Sequence, residues 1–190
     1  MRPRRVLALL LCVSALVLAA SGCGGGTSYS GTTPDTWAAA VCGAVGDWTQ
    51  GLQADSAQLS SGLAGTTDLK VVKTRFVAFL ENAERSSRTM VSAINAAGAP
   101  AVKDGAAIQR KLVSGLEGAQ ERFSRAVERA KKLSTTDPQA FSTGVQALGG
   151  DVQKELTAVG SKFNTLGDKY DDSSLNKATS EEPSCTKIAR

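Results

Sequence analysis

The sequence predicts an all-α protein, an up-down-up-down four-helix bundle. Three observations predict it. Four long stretches repeat apolar residues at alternating spacings of three and four, the pattern of helices packed at a shallow angle. No segment shows the period-two alternation that a half-buried strand needs. All five prolines, Pro3, Pro34, Pro100, Pro138 and Pro183, fall outside the interiors of those stretches, where proline would break a helix.

The chain opens on a targeting segment. Arg2, Arg4 and Arg5 are followed by an apolar run, Val6 to Ala20, which is interrupted by Ser14 and carries Cys12. At about 15 residues the run is short of the roughly 20 that a membrane-spanning helix needs. A basic start, a short apolar run and small residues beyond it predict a cleaved signal peptide over residues 1–22. Leu18-Ala19-Ala20-Ser21-Gly22-Cys23 resembles the lipobox of bacterial lipoproteins, with small residues at Ser21 and Gly22 and the obligatory Cys23. Ala20 stands where leucine is more usual. Arg4-Arg5 also resembles, more loosely, a twin-arginine export signal.

The resemblance implies that residues 1–22 are removed and that the Cys23 thiolate becomes a thioether to diacylglycerol. Acyl chains such as palmitate would then hold the protein to the outer face of the cytoplasmic membrane. Each buried methylene contributes about 0.8 kcal/mol, so two or three chains anchor for the life of the cell. Together with the Ala-, Gly- and Val-rich composition, the lipobox resembles that of small secreted helical lipoproteins of high-GC Gram-positive bacteria. That resemblance assigns no activity.

Residues 23–34 read as a Gly/Ser/Thr-rich flexible tether that lifts the domain by roughly 20 Å. The first helix is predicted from Asp35 to Gly62, with Trp37, Val41, Val45, Trp48, Leu52 and Leu59 on its apolar face. The second runs from Asp68 to Ala97 on Leu69, Val72, Phe76, Phe79, Ala83 and Met90, and Gly98-Ala99-Pro100 stops it. The third runs from Val102 to Leu133 on Leu112, Leu116, Ala119, Phe123, Ala126 and Ala130. The fourth runs from Pro138 to Lys169 on Phe141, Val145, Leu148, Val152, Leu156, Val159, Phe163 and Leu166. Asp137-Pro138 is a cap followed by proline in the first turn. The pairs Glu81–Arg85, Glu84–Arg88, Glu121–Arg125 and Glu128–Lys132 are placed to bridge successive turns. Residues 35–190 thus form the bundle and a C-terminal tail with little core of its own.

With Cys12 in the signal and Cys23 lipidated, Cys42 and Cys185 remain. An oxidising compartment makes a disulfide between them the expectation; two free thiols or a metal site are the alternatives. Four alternating helices return the chain to the end where it began, so the tail is placed to reach Cys42.

Composition excludes several functions. The formal charge of +4 loses Arg2, Arg4 and Arg5 with the signal, leaving 19 basic against 18 acidic residues and no case for a nucleic-acid partner. There is no histidine, the commonest general base and metal ligand. No cofactor, metal or catalytic residue is assigned. Two features remain. The third helix is basic, with Lys103, Arg110, Lys111, Arg122, Arg125, Arg129, Lys131 and Lys132 against four acidic residues. It is either a solvated, salt-bridged face or a surface for anionic lipid headgroups or an anionic wall polymer. Small residues also gather near the helix midpoints: Ser86-Ser87, Gly115 with Gly118, and Gly149-Gly150, at the level of Trp48. They either make room for the indole or line a cavity formed by Trp48, Ser86, Gly118 and Gly149. The functional expectation is a non-enzymatic, membrane-anchored interaction protein that binds an envelope protein or a wall polymer. The alternative is a carrier of a small apolar ligand.

Overall fold

The computed structural model describes residues 28–170 and 172–188, and within the fourth helix the side chains of 155–156, 159–160 and 162–168 fall outside the description. The signal peptide, Cys23 and the first tether residues lie outside the described residues, as do the side chains of Leu156, Val159, Phe163 and Leu166. Among the described residues there are six helices: α1 (Pro34–Leu63), α2 (Leu69–Ala96), α3 (Gly105–Lys131), α4 (Pro138–Lys169), α5 (Ser173–Glu181) and α6 (Pro183–Ile188). None is long and apolar enough to cross a membrane.

Local chemistry sets the boundaries. α1 starts at Pro34, whose missing N–H costs nothing in a first turn. Asp68 caps α2 by accepting from the Lys70 amide at 2.8 Å. Gly98, at φ 72°, closes α2. Asp137 caps α4 by accepting from the Gln139 and Ala140 amides at 2.9 and 3.1 Å, as the Asp137-Pro138 pair predicts.

Paired contacts run in opposite chain directions between α1 and α2 and between α2 and α3. From α1 to α2, the Trp37 indole donates to the Gly98 carbonyl, Trp48 to Ser87, and Arg75 donates back to Gly62. From α3 to α2, Gln109 donates to the Ile94 carbonyl and Lys131 meets Glu81. From α3 to α4, Arg129 meets Asp151.

The core divides in two. One cluster joins Trp37 and Val41 of α1, Met90 and Ile94 of α2, Ile108 and Leu112 of α3, and Leu175 of α5. The other joins Leu80 of α2, Ala126, Val127 and Ala130 of α3, and Leu148 of α4. Burying a side chain such as Ile94 or Leu148 stabilises the fold by about 1.5–3 kcal/mol.

Three differences from the sequence expectation have physical causes. The tail is not featureless: α5 and α6 pack on α1, and Leu175 and Ala178 are buried. The tether ends earlier, because Thr32 is held against the α2–α3 connection. Its amide donates to the Ala99 carbonyl at 2.8 Å, its carbonyl accepts from Ala101 at 2.7 Å, and its hydroxyl donates to the Ala97 carbonyl at 2.6 Å. Gly31 permits this approach, since at φ 144° a Cβ there would lie 2.4 Å from the Ala99 oxygen. The third difference is in charge pairing. Glu84–Arg88 and Glu121–Arg125 form, at 2.8 and 3.7 Å. Glu81 and Glu128 instead share Lys131, at 3.1 and 3.4 Å.

Candidate functional site

Cys42, two turns into α1, and Cys185 in α6 form a disulfide with Cα atoms 4.9 Å apart, closing a loop of 143 residues. The bridge, the Thr32 clamp and the Trp37 indole meet at one end of the molecule, called the disulfide end below. Trp37 Nε1 lies 3.0 Å from both the Gly98 carbonyl and Gln109 Oε1. Gln109, itself buried, passes the network on to the Ile94 carbonyl at 2.7 Å. A buried amide satisfied on both sides fixes one register of α1, α2 and α3. Asp172 caps α5 from the same end, and hydrogen bonding by the Ser174 hydroxyl holds its carboxyl below the usual carboxylate range. Glu182 does the same for α6 through Ser184.

The midpoint residues come together only in part. Trp48, half-buried, donates to Ser87 Oγ at 3.1 Å and meets Phe123 edge-on with centroids 6.4 Å apart. The hydroxyl partner is thus Ser87; Ser86 turns back to the Ala83 carbonyl of its own helix at 3.0 Å. Gly118 has open space where a Cβ would stand. Gly149 and Gly150 are exposed on α4, so they do not line an interior space with Trp48.

Among the described residues, two surface grooves flank the long helices. One, of about 270 Å³, lies between α1 and α2 and is lined by Asp55, Gln58, Leu59, Arg75, Ala78, Phe79 and Asn82. It carries one acid and one base. The other, of about 210 Å³, lies between α3 and α4. Ala119, Phe123, Ala126 and Val152 form its floor, and Arg122, Arg125, Arg129, Asp151 and Lys154 its walls. Arg129 meets Asp151 at 2.5 Å, and that hydrogen bond lowers the Asp151 carboxyl from its ordinary value. Glu121 approaches Arg125 at 3.7 Å, with both side chains mostly in water.

Sequence reasoning singled out the three arginines but not Lys154 and Asp151. Their place opposite α3 depends on the α3–α4 register, which no local signal encodes. No family model matches the chain, and neither a curated protein nor a solved structure is detectably similar to it.

Proposed function

We propose that this chain is a lipid-anchored protein of the outer face of the cytoplasmic membrane, and that its helical domain binds an envelope partner without catalysing a reaction. The observation that carries the reading is the Cys42–Cys185 disulfide. Such bridges persist in oxidising compartments, and the lipobox-like segment ending at Cys23 supplies the route to one. The absence of histidine from the whole chain favours binding over chemistry. We read α1–α4 as an up-down-up-down four-helix bundle, with α5 and α6 latched across its disulfide end. The carrier reading has less support, because the indole at the midpoint is already bonded and packed by Ser87 and Phe123.

The test is Cys23→Ser. The native chain is expected to stay with the membrane fraction through a carbonate wash and to carry a thioether-linked diacylglycerol by mass spectrometry. The variant is expected in the soluble fraction. Retention of the variant in washed membranes sinks the anchor.

A further inference from the structure

We propose that the Cys42–Cys185 bridge is a redox latch: a dithiol that reduces it frees α5 and α6 from α1 and leaves the packing of α1, α2 and α3 in place. α6 buries none of its six residues, so no apolar burial keeps it on α1. α5 contributes two buried side chains, Leu175 and Ala178. Helices of nine and six residues do not hold together by themselves in water, because ordering their backbone costs more than so few contacts return. α6 packs on α1 and α5, and its tie to α1 is the bridge, with Cys185 Sγ 3.9 Å from the Ala38 carbonyl oxygen.

The rest of the disulfide end has its own fastenings. Trp37 bonds to Gly98 and Gln109, Gln109 to Ile94, and Thr32 to the α2–α3 connection. None of these bonds involves α5 or α6. Apart from Leu175, the buried residues of that cluster come from α1, α2, α3 and the α2–α3 connection. The pivot is equally defined: Tyr170 packs against the cluster, and Asp172 accepts from the Lys103 amide. Leu175 shares the cluster with Trp37 and Val41, so its departure bares an apolar strip in the first turns of α1.

Disulfide exchange needs a thiolate to reach a sulfur. Both cysteines are half-buried rather than enclosed. Around Cys42, α1 carries Ala39, Gly43 and Gly46, and among the described residues open space stands where a Cβ would project from either glycine. Small residues therefore flank the bridge on that side. One thiolate of the dithiol attacks a bridge sulfur, and the other cysteine leaves as a thiolate and is protonated. The second thiol then resolves the mixed disulfide and releases the remaining cysteine. Two electrons and two protons pass to the protein, and the dithiol ends as a disulfide. The device needs only a dithiol within reach, so it stands apart from the lipid-anchor reading.

The test is hydrogen exchange by mass spectrometry on the full chain in native buffer, before and after dithiothreitol. Alkylation mapped to Cys42 and Cys185 shows when the bridge has opened. Exchange in residues 173–188 is expected to quicken about tenfold or more, while residues 87–95 and 106–116 stay protected over the same labelling time. Reoxidation is expected to restore the original pattern, and Cys185→Ser to show the open pattern without reductant. The latch is refuted if the bridge resists dithiothreitol until urea is added. It is refuted equally if residues 173–188 keep their protection after both cysteines are alkylated. Loss of protection in α2 and α3 together with α5 and α6 would also overturn it, and would make the bridge a staple of the whole fold.

Discussion

At the disulfide end, Cys42, Trp37 and Thr32 each bind a segment far away in the chain. At the opposite end, α2, α3 and α4 meet through Leu80, Ala126, Val127, Ala130 and Leu148, ringed by exposed ion pairs such as Arg129–Asp151. One end is held by a covalent bond, a buried amide network and backbone bonds across the chain. The other is held by apolar packing alone, and exposed pairs add little. Resistance to local opening should therefore be graded along the helices, greatest where α5 and α6 cover α1.

The largest expected effect comes from cutting the bridge. In the chain-entropy model a loop of this size contributes at most about 5 kcal/mol. Urea unfolding with and without reductant, or of Cys185→Ser, is expected to show a loss of several kcal/mol. A loss below about 1 kcal/mol would mean that packing alone secures that end, and the contrast between the ends would collapse.

Next comes Trp37→Phe, which removes the donor to Gly98 and Gln109 from a site only 6% exposed. The cost of leaving buried acceptors unsatisfied is about 1–3 kcal/mol. Trp48→Phe loses one hydrogen bond at a half-buried site and is expected to cost about 1 kcal/mol. Equal costs in parallel denaturation curves would erase the distinction between the two tryptophans.

Asp172→Ala removes the α5 cap and is expected to cost about 1 kcal/mol, seen as faster amide exchange confined to α5 and α6. The same segment should loosen in acid. Asp172 and Glu182 both have folded-state pKa values below their ordinary ones. Their contribution is therefore complete above the unfolded carboxylate value of about 4, and is lost as pH falls through the lower folded values. Exchange in α5–α6 that is indifferent to pH between about 6 and 3 would contradict this.

The smallest effect has the opposite sign. Gly149→Ala meets nothing within 4 Å on an exposed helix surface, so it is expected to stabilise the fold by about 0.5–1 kcal/mol. Gly105→Ala at the disulfide end would place a Cβ 1.9 Å from the Pro100 oxygen and is expected to destabilise it. A rise in thermal midpoint for the first and a fall for the second is the outcome to look for.

The four long helices were legible because their apolar spacing and their stops, Gly98 and Asp137-Pro138 among them, are local chemistry. The Cys42–Cys185 pairing was legible by elimination once the sequence reading assigned Cys12 to a signal and Cys23 to a lipid anchor. α5 and α6 were not, because nine and six residues with few apolar positions gain their order from α1 and the bridge rather than from propensity. Glu81 was matched to Arg85, one turn away, and chose Lys131 on a neighbouring helix. Ser87, not Ser86, met the indole for the same reason. Pairs within a helix follow from spacing, whereas pairs between helices need the register that packing sets.

Pulled by its N-terminal segment, the domain would resist in shear at Thr32, where two backbone bonds to Ala99 and Ala101 lie across the line of tension. Were they to part, α1 could unwind only as far as Cys42, about ten residues and at most about 35 Å of chain. Beyond that point the sulfur bridge divides the load with α6. The last helix of the chain is in this sense a brake on the first, and it spares the core behind Cys42 from being unspooled.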